Sequence, residues 1–338
     1  MYDETTQKYR ERIREPNGAP TPFASGLLYL TVLLLILLSS LLTARINTEG
    51  DSYYFYMFLL QLATIGLPTM AYLVARRKNI RYSLRLRTIN AAEVLLSMGM
   101  AIFGYGVIAF INLLWMIFLS RFGNPQPTAI PPIETGRHYL MAIVVIAATP
   151  AVLEEFMFRG VIQRGYEGYG KTVSILVTGI LFAYLHLNII TIPAIILLGI
   201  LLCYVAYRAN SIWVSIIYHF INNTIAVTFA YISSLLTKFL PEDFEGMPGS
   251  FADIPPDQLQ MVVIVWAFLG FFALILFSAC FAGFHVVTRG KQEELPAAAR
   301  PTKGNIMQLI LPVLLAAVII TVVLAFKVIN MVNPAPIL

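Results

Sequence analysis

The pattern of hydrophobic and polar positions divides the chain into long apolar runs that short polar segments separate. A helix needs about 17–25 residues to cross the hydrocarbon core of a bilayer, and a helix pairs all its backbone polar groups internally. The pattern therefore predicts an all-α integral membrane protein, a polytopic bundle of about nine transmembrane helices. The nine runs are 23–44, 53–75, 91–119, 139–163, 172–187, 191–207, 212–235, 259–287 and 305–330.

The composition agrees with a membrane protein. Hydrophobic residues make up 58% of the chain and charged residues 12%, and the mean hydropathy is +0.76. Soluble domains carry about twice that charged fraction. The net charge of +5 could indicate a nucleic-acid partner. However, the basic residues lie at the ends of the apolar runs, which is a topology signal, and no nucleic-acid partner is expected.

The distribution of basic residues predicts the orientation. With the N-terminus in the cytoplasm, 18 of the 23 lysines and arginines fall on the inner side and five on the outer side. Short cytoplasmic loops carry such an excess. We therefore expect the N-terminus inside and the C-terminus outside, with a bacterial cell membrane as the location.

The polar segments divide the chain into four parts. Residues 1–22 are charged and rich in proline, which predicts a disordered cytoplasmic tail. Residues 23–235 form the membrane core, and 236–258 an acidic outer loop. Residues 259–338 hold a C-terminal pair of spans with a cytoplasmic linker. Both cysteines lie within spans, where they are expected to be packing residues.

Two adjacent acids, Glu154 and Glu155, interrupt the fourth apolar run. A carboxylate at bilayer depth costs at least about 2–3 kcal/mol, so the pair requires partners or a function. Glu155 and Arg159 are spaced i, i+4 and can form an ion pair on one helix face. Glu154 lies about 100° around the helix and is free to face a cavity.

Further polar residues occur in the next runs. His186 ends the fifth run, and His219 and Asn223 share a helix face in the seventh. Helical rise places Glu154 roughly 14 Å and His186 roughly 21 Å from the cytoplasmic ends of their runs. This mismatch disappears if the fifth run begins above the bilayer surface or forms a short hairpin with the sixth.

Three motifs in order resemble the CPBP family, the CAAX proteases and bacteriocin-processing proteins that are also called Abi proteins or type II CAAX prenyl endopeptidases. They are Glu-Glu-x-x-x-Arg at 154–159, Phe-x-x-x-His at 182–186 and His-x-x-x-Asn at 219–223. The resemblance covers about residues 139–226. It implies an intramembrane glutamic endopeptidase that hydrolyses a peptide bond of a membrane-associated peptide or protein.

The resemblance also implies a role for each motif residue. Glu154 is the expected general base, and His186 binds and polarises the attacking water. His219 and Asn223 are the expected donors to the tetrahedral oxyanion. The residues expected to support this site structurally are Glu155, Arg159 and Phe182.

Two alternatives remain open at this stage. No cofactor is expected, but Glu154, His186 and His219 could bind zinc as a site of two histidines and one carboxylate. The His-Glu-x-x-His pattern of many zinc proteases is missing, and these ligands would come from three separate spans. The second alternative is a non-catalytic bacteriocin-immunity or binding protein of the same fold.

One further motif matches a nucleotide-binding pattern, but its position between two membrane helices argues against nucleotide binding. Residues 165–172 satisfy the phosphate-binding pattern G-x-x-x-x-G-K-T. A true phosphate loop joins a β-strand to a helix, whereas this segment joins two membrane helices, so no nucleotide partner is expected. The expected partners are a membrane-associated peptide or protein substrate and the lipid bilayer.

Overall fold

The computed structural model describes residues 20–43, 50–75, 80–125, 133–238, 254–292 and 306–332. Within these ranges the chain forms helices and no strand. Most of the predicted cytoplasmic tail, acidic outer loop and cytoplasmic linker lies outside the described residues. The main helices are α1 Pro22–Thr43, α2 Asp51–Ala75, α3 Ala91–Leu119, α4 Gly136–Tyr169, α5 Lys171–Leu185, α6 Ile192–Ala209, α7 Ile212–Thr237, α8 Pro256–Val287 and α9 Ile306–Val332.

These helices confirm the predicted fold class, because each apolar run corresponds to one helix. Within the described ranges, eight helices are long and apolar enough to cross a membrane. The exception is α5, which has 15 residues. Its length of about 22 Å is less than the roughly 30 Å of a hydrocarbon core. The chain is thus an integral, multi-pass membrane protein, and its orientation stays a prediction.

Helix α4 is longer than the apolar run predicts, because it continues past 163 to Tyr169. The added turns contain Arg164 and Glu167, which end the hydrophobic pattern but are both buried. Arg164 donates to Oε2 of Glu167 from 3.1 Å, and Arg85 forms an ion pair with Oε1 of the same carboxylate. The Glu167 carboxylate is thus shared by two guanidinium groups, and these ion pairs allow the helix to continue into a buried polar layer.

Two π-helical segments flank the acidic pair in α4. They are Ile143–Ala148 and Phe156–Ile162, and the α-helical segment Thr149–Glu155 lies between them. Pro150 stands at the start of this segment and has no backbone N–H to donate. The proline lies about one turn before the acids, just after the first π segment. Such insertions occur frequently at functional sites.

The turn between α4 and α5 resolves the predicted depth mismatch. Gly170 adopts φ +100°, a left-handed conformation that glycine tolerates, and reverses the chain. Phe158 and Phe182 each lie twelve residues from Gly170, and their ring centroids are 5.1 Å apart. Glu155 and His186 lie fifteen and sixteen residues from it, and so reach the same level.

Helices α5 and α6 form a tight hairpin. A Cβ atom on Gly199 would lie only 2.7 Å from the carbonyl oxygen of Gly179, so the two backbones approach closely. Helices α4 and α7 complete the central group. Helix α8 packs along α3, and α9 along α1. The motif-bearing helices α4, α5 and α7 therefore pack together with α6, and the last two helices lie at the periphery of the bundle.

Candidate active site

The side chain of Glu155 is fully buried and joins two helices. Its Oε1 accepts a hydrogen bond from Nη1 of Arg159 at 2.7 Å, which is the ion pair that the i, i+4 spacing predicts. Nδ1 of His219 lies 3.0 Å from the same oxygen. An ionised carboxylate only accepts hydrogen bonds, so Nδ1 of His219 carries a proton. One oxygen atom thus connects α4 to α7.

Arg159 and Gln163 fasten α4 to α6. Nη2 of Arg159 donates to the carbonyl oxygen of Gly199 at 3.1 Å. One turn later, Nε2 of Gln163 donates to the carbonyl oxygen of Cys203 at 2.9 Å. Both side chains are completely buried. These two hydrogen bonds join successive turns of α4 to successive turns of α6. They therefore fix the position of the Arg159 guanidinium along the axis of α6.

The ring of Phe182 brings the remaining polar groups together. Its centroid lies 4.6 Å from the guanidinium carbon of Arg159, within the range of a cation–π interaction. The imidazoles of His186 and His219 border the same ring at centroid distances of 4.9 and 5.7 Å. We refer to Glu155, Arg159, Phe182, His186 and His219 as the Glu155 cluster. It collects side chains from α4, α5 and α7.

His186 lies directly after α5, and its tautomer follows from its contact. Nδ1 of His186 lies 2.9 Å from the carbonyl oxygen of Phe182. Because a carbonyl oxygen only accepts, Nδ1 donates this bond. In the neutral ring Nε2 therefore has a lone pair and can accept a hydrogen bond.

The turn that follows His186 is held by contacts from α3 and α9. Leu187 adopts φ +50°, an uncommon left-handed conformation for a branched side chain. Its carbonyl oxygen accepts a hydrogen bond from Nζ of Lys327 in α9 at 2.6 Å. Nε1 of Trp115 in α3 donates to the carbonyl oxygen of Ile189 at 2.8 Å. These contacts fix the end of α5 and with it the position of His186.

Glu154 differs from its neighbour. Its side chain is half-buried, and its Oε2 atom is buried without a hydrogen-bond partner among the described residues. No side-chain hydrogen bond or ion pair in those residues joins Glu154 to the Glu155 cluster. Glu154 thus lies next to Glu155 with one buried oxygen atom, Oε2, that no described residue satisfies.

Asn223 lies one turn after His219 and faces the π segment of α4. Its Nδ2 is 3.4 Å from the carbonyl oxygen of Ile146, and Nδ2 of Asn222 is 3.4 Å from its Oδ1. Both distances are long for hydrogen bonds of this type. The Asn223 amide is therefore positioned but weakly engaged, and it keeps donor capacity.

Three residues near the site were not predicted from the sequence. Ser215 is buried beside Glu155, one turn before His219, and Asn222 contacts Asn223. The i, i+4 spacing of Ser215 and His219 is a signal that could have identified the serine. The contribution of Lys327 has no such signal, because its contact joins residues 140 positions apart.

The described residues do not assemble a metal-binding group. Among them, no three His, Cys, Asp or Glu side chains lie close enough together to hold a metal ion. Glu154, His186 and His219 all belong to the described residues and, as arranged, do not fit a zinc site. Zinc therefore enters no step of the chemistry that we derive.

A comparison with protein families identifies the central segment. Residues 136–225 match the family model of the Rce1-like type II CAAX prenyl endopeptidases. No curated protein and no solved structure matches the chain. The match begins at the first residue of α4, ends two residues after Asn223, and contains all three motifs. This segment of the chain is therefore similar to the Rce1-like, type II CAAX prenyl endopeptidases, in agreement with the resemblance of its motifs.

Proposed function

We propose that this protein is an intramembrane endopeptidase that hydrolyses a peptide bond of a membrane-associated peptide or protein by means of a glutamate-activated water. The observation that carries the proposal is the contrast between the two acids. Oε1 of Glu155 is ion-paired with Arg159 and hydrogen-bonded to His219, whereas Glu154 has no ion pair or hydrogen-bond partner for its side chain among the described residues; Oε2 is unsatisfied in both acids. Together with the family match, this contrast favours Glu154 as the reacting carboxylate.

Glu154 is the proposed general base. Peptide hydrolysis requires a group that removes a proton from water as the water attacks the carbonyl carbon. Glu155 is unsuited to this role, because taking it out of its ion pair would leave Arg159 charged and buried without a counter-charge. Glu154 has no ion pair among the described residues, and its Oε2 atom is available to accept the proton.

His186 is proposed to position the same water. Its Nδ1 proton is held by the Phe182 carbonyl oxygen, so Nε2 of the neutral ring accepts a hydrogen bond from the water. The water then donates its two O–H groups to Glu154 and to Nε2 of His186, which leaves a lone pair of its oxygen free to face the substrate carbonyl. Restricting the water in this way lowers the entropic part of the barrier.

His219 and Asn223 are proposed to stabilise the oxyanion. Donors aimed at the developing negative charge contribute about 3–4 kcal/mol each to barrier lowering. Nδ1 of His219 donates its proton in the hydrogen bond to Glu155. A hydrogen bond from Nε2 to the oxyanion therefore requires that both ring nitrogens are protonated. The adjacent Glu155 carboxylate stabilises that cation. Asn223 contributes an N–H of its weakly engaged amide.

Depth in the membrane favours a membrane-associated substrate. Fifteen residues of α4 separate Glu155 from the turn at Gly170, an axial distance of about 22 Å. The site then lies well inside a hydrocarbon core of roughly 30 Å. A peptide bond reaches this depth when its chain is inserted in the bilayer or anchored to it. The description of the matched family, which names prenylated CAAX substrates, agrees with this requirement.

Cleavage by reconstituted protein tests the proposal. The wild type and the Glu154→Gln variant are placed in phosphatidylcholine proteoliposomes with a farnesylated CAAX peptide and its unprenylated counterpart, and products are identified by mass spectrometry. We expect the wild type to cleave and the variant to bind without cleaving. Equal cleavage by both proteins would refute the role of Glu154. Binding without cleavage by either protein would instead favour the immunity or binding protein.

A further inference from the structure

Gln61 on α2 contacts the π segment that precedes the acidic pair in α4. Its Nε2 donates to the carbonyl oxygen of Val145 at 3.0 Å. On α7, Nδ2 of Asn223 lies 3.4 Å from the carbonyl oxygen of Ile146, the next residue of the same segment. Two side-chain amides, from two different helices, therefore reach two consecutive carbonyl groups of α4.

Pro150 explains why side chains supply donors to these carbonyl groups. A residue at position 150 would donate its backbone N–H to Ile146 in an α-helical turn and to Val145 in a π-helical turn. Proline has no N–H, so this donor is missing from α4. Both carbonyl groups belong to the first π segment, Ile143–Ala148. The amides of α2 and α7 thus compensate for a backbone donor that the sequence removes.

The orientation of the Gln61 amide follows from its contact with Val145. A carbonyl oxygen only accepts hydrogen bonds, so the nitrogen of the amide faces Val145 and Oε1 points elsewhere. This Oε1 is buried and has no hydrogen-bond partner among the described residues. A buried polar atom without a partner lowers stability. Gln61 therefore presents an oriented acceptor, and a ligand that satisfies it must supply an N–H or O–H group.

The contact of Gln61 lies along α4 from the proposed general base. Pro150 and Glu154 are four residues apart in the α-helical segment Thr149–Glu155, so they share a face. Val145 precedes Glu154 by about 13 Å along the helix axis. Helical side chains lean towards the N-terminus, which shortens the gap from the Glu154 carboxylate to this level. An extended peptide of about two to four residues, at about 3.3 Å each, spans such a gap.

We propose that Gln61 is a substrate-binding residue whose Oε1 accepts a backbone N–H of the peptide, about two to four residues from the scissile bond. This inference rests on the proposed peptidase function and adds a subsite to it. A peptide that is extended for cleavage has no helical hydrogen bonds, and the hydrocarbon core has no water to satisfy its N–H groups. An acceptor on the protein removes that cost without contacting a substrate side chain. Gln61 therefore favours an extended main chain of any sequence.

Peptide binding by the full chain tests this assignment. The parent protein carries Glu154→Gln, so that the peptide stays intact, and is compared in phosphatidylcholine nanodiscs with forms that also carry Gln61→Met or Thr64→Val. The probe is a fluorescent farnesylated CAAX peptide that extends several residues before its cysteine. In a matched set of peptides, each backbone amide in turn is replaced by an ester, which lacks the N–H. Thr64→Val is the control, because the Thr64 hydroxyl donates within α2, to Leu60 at 2.7 Å.

We expect Gln61→Met to weaken binding of the all-amide peptide about fivefold, as the loss of one hydrogen bond predicts, and Thr64→Val to leave it unchanged. One ester should weaken binding to the parent by the same factor but leave binding to Gln61→Met unchanged. The inference is overturned if every ester weakens binding to these two proteins equally, or if the parent binds no peptide.

Gln61→Glu separates loss of the acceptor from loss of the fold. Its protonated carboxyl group has the shape of the amide, donates to the Val145 carbonyl oxygen and keeps an acceptor oxygen. At about pH 5 we expect it to bind the peptide within about twofold of the parent. Weakening as large as that in Gln61→Met would contradict the role of Oε1.

Cleavage by the protein with Glu154 intact is measured separately. Binding that depends on Gln61, without cleavage, would count against the proposed peptidase function. Cleavage together with peptide binding that does not depend on Gln61 would overturn this inference alone.

Discussion

Nδ1 of His219 lies 3.0 Å from Oε1 of Glu155, the same atom to which Arg159 donates from 2.7 Å. This shared oxygen connects α4 to α7 and gives two adjacent glutamates different environments. Glu155 has an ion pair and a hydrogen bond through Oε1, whereas the Glu154 side chain has neither among the described residues. The same substitution is therefore expected to lower the stability of the protein at Glu155 and its catalytic rate at Glu154.

Substitution of each glutamate by glutamine separates stability from catalysis. Glu155→Gln leaves Arg159 buried without its counter-charge, and we expect the free energy of unfolding to fall by about 3–5 kcal/mol. Glu154→Gln breaks no side-chain hydrogen bond or ion pair among the described residues, so we expect unchanged stability and a fall in the cleavage rate of about 10²–10⁴-fold. Thermal unfolding and peptide cleavage, measured on both variants, check the two expectations. A larger loss of stability in Glu154→Gln than in Glu155→Gln would contradict this assignment.

Asn223 is expected to act on the transition state alone. Asn223→Asp keeps the shape of the side chain and replaces the amide donor with an acceptor. We expect kcat to fall by about 10²–10³-fold, because one oxyanion donor is lost, while KM stays unchanged. Asn223→Ala should give a similar loss. Full activity of the Asp variant would show that the amide donates to no oxyanion.

The sequence was sufficient to predict contacts within one helix but not contacts between helices. The i, i+4 spacing predicted the Glu155–Arg159 pair, and the apolar runs predicted every main helix. The pairing of His219 with Glu155 depends on the relative height of α4 and α7, which local spacing does not determine. The end of α4 was placed too early for a related reason, because the partner of Glu167 is Arg85, more than eighty residues away.

Lys327 is expected to act as a positioning residue for His186. Lys327→Met removes the donor to the Leu187 carbonyl oxygen and frees the turn that follows α5. We expect kcat to fall roughly tenfold with KM unchanged, because catalysis is sensitive to small displacements of reacting groups. Lys327→Arg should restore most of the rate.

The matched control for Lys327 is Lys238→Met. Lys238 also donates to a backbone carbonyl oxygen, that of Glu134, from 3.0 Å, but makes no contact with the Glu155 cluster. We expect its substitution to leave both kinetic constants unchanged. Equal kinetic effects of the two methionine variants would indicate a general loss of surface charge and contradict the positioning role.

The close approach of α5 and α6 predicts an intolerant glycine. A Cβ on Gly199 would lie 2.7 Å from the Gly179 carbonyl oxygen and 3.1 Å from the ring of Phe182. We expect Gly199→Ala to reduce the free energy of unfolding by about 1–3 kcal/mol through overpacking. Gly136→Ala is the control, since a Cβ there meets nothing within 4 Å. Equal melting temperatures for the two variants would contradict the close contact.

The central claim is that Glu154 on α4 and His186 after α5 act on one water molecule. A double-mutant cycle measures this coupling through kcat for the wild type, Glu154→Gln, His186→Ala and the double variant. Residues that act as a unit give strongly non-additive losses. We expect the double variant to be no slower than the slower single variant. A rate for the double variant equal to the product of the two separate losses would show that these residues act independently and would contradict the account.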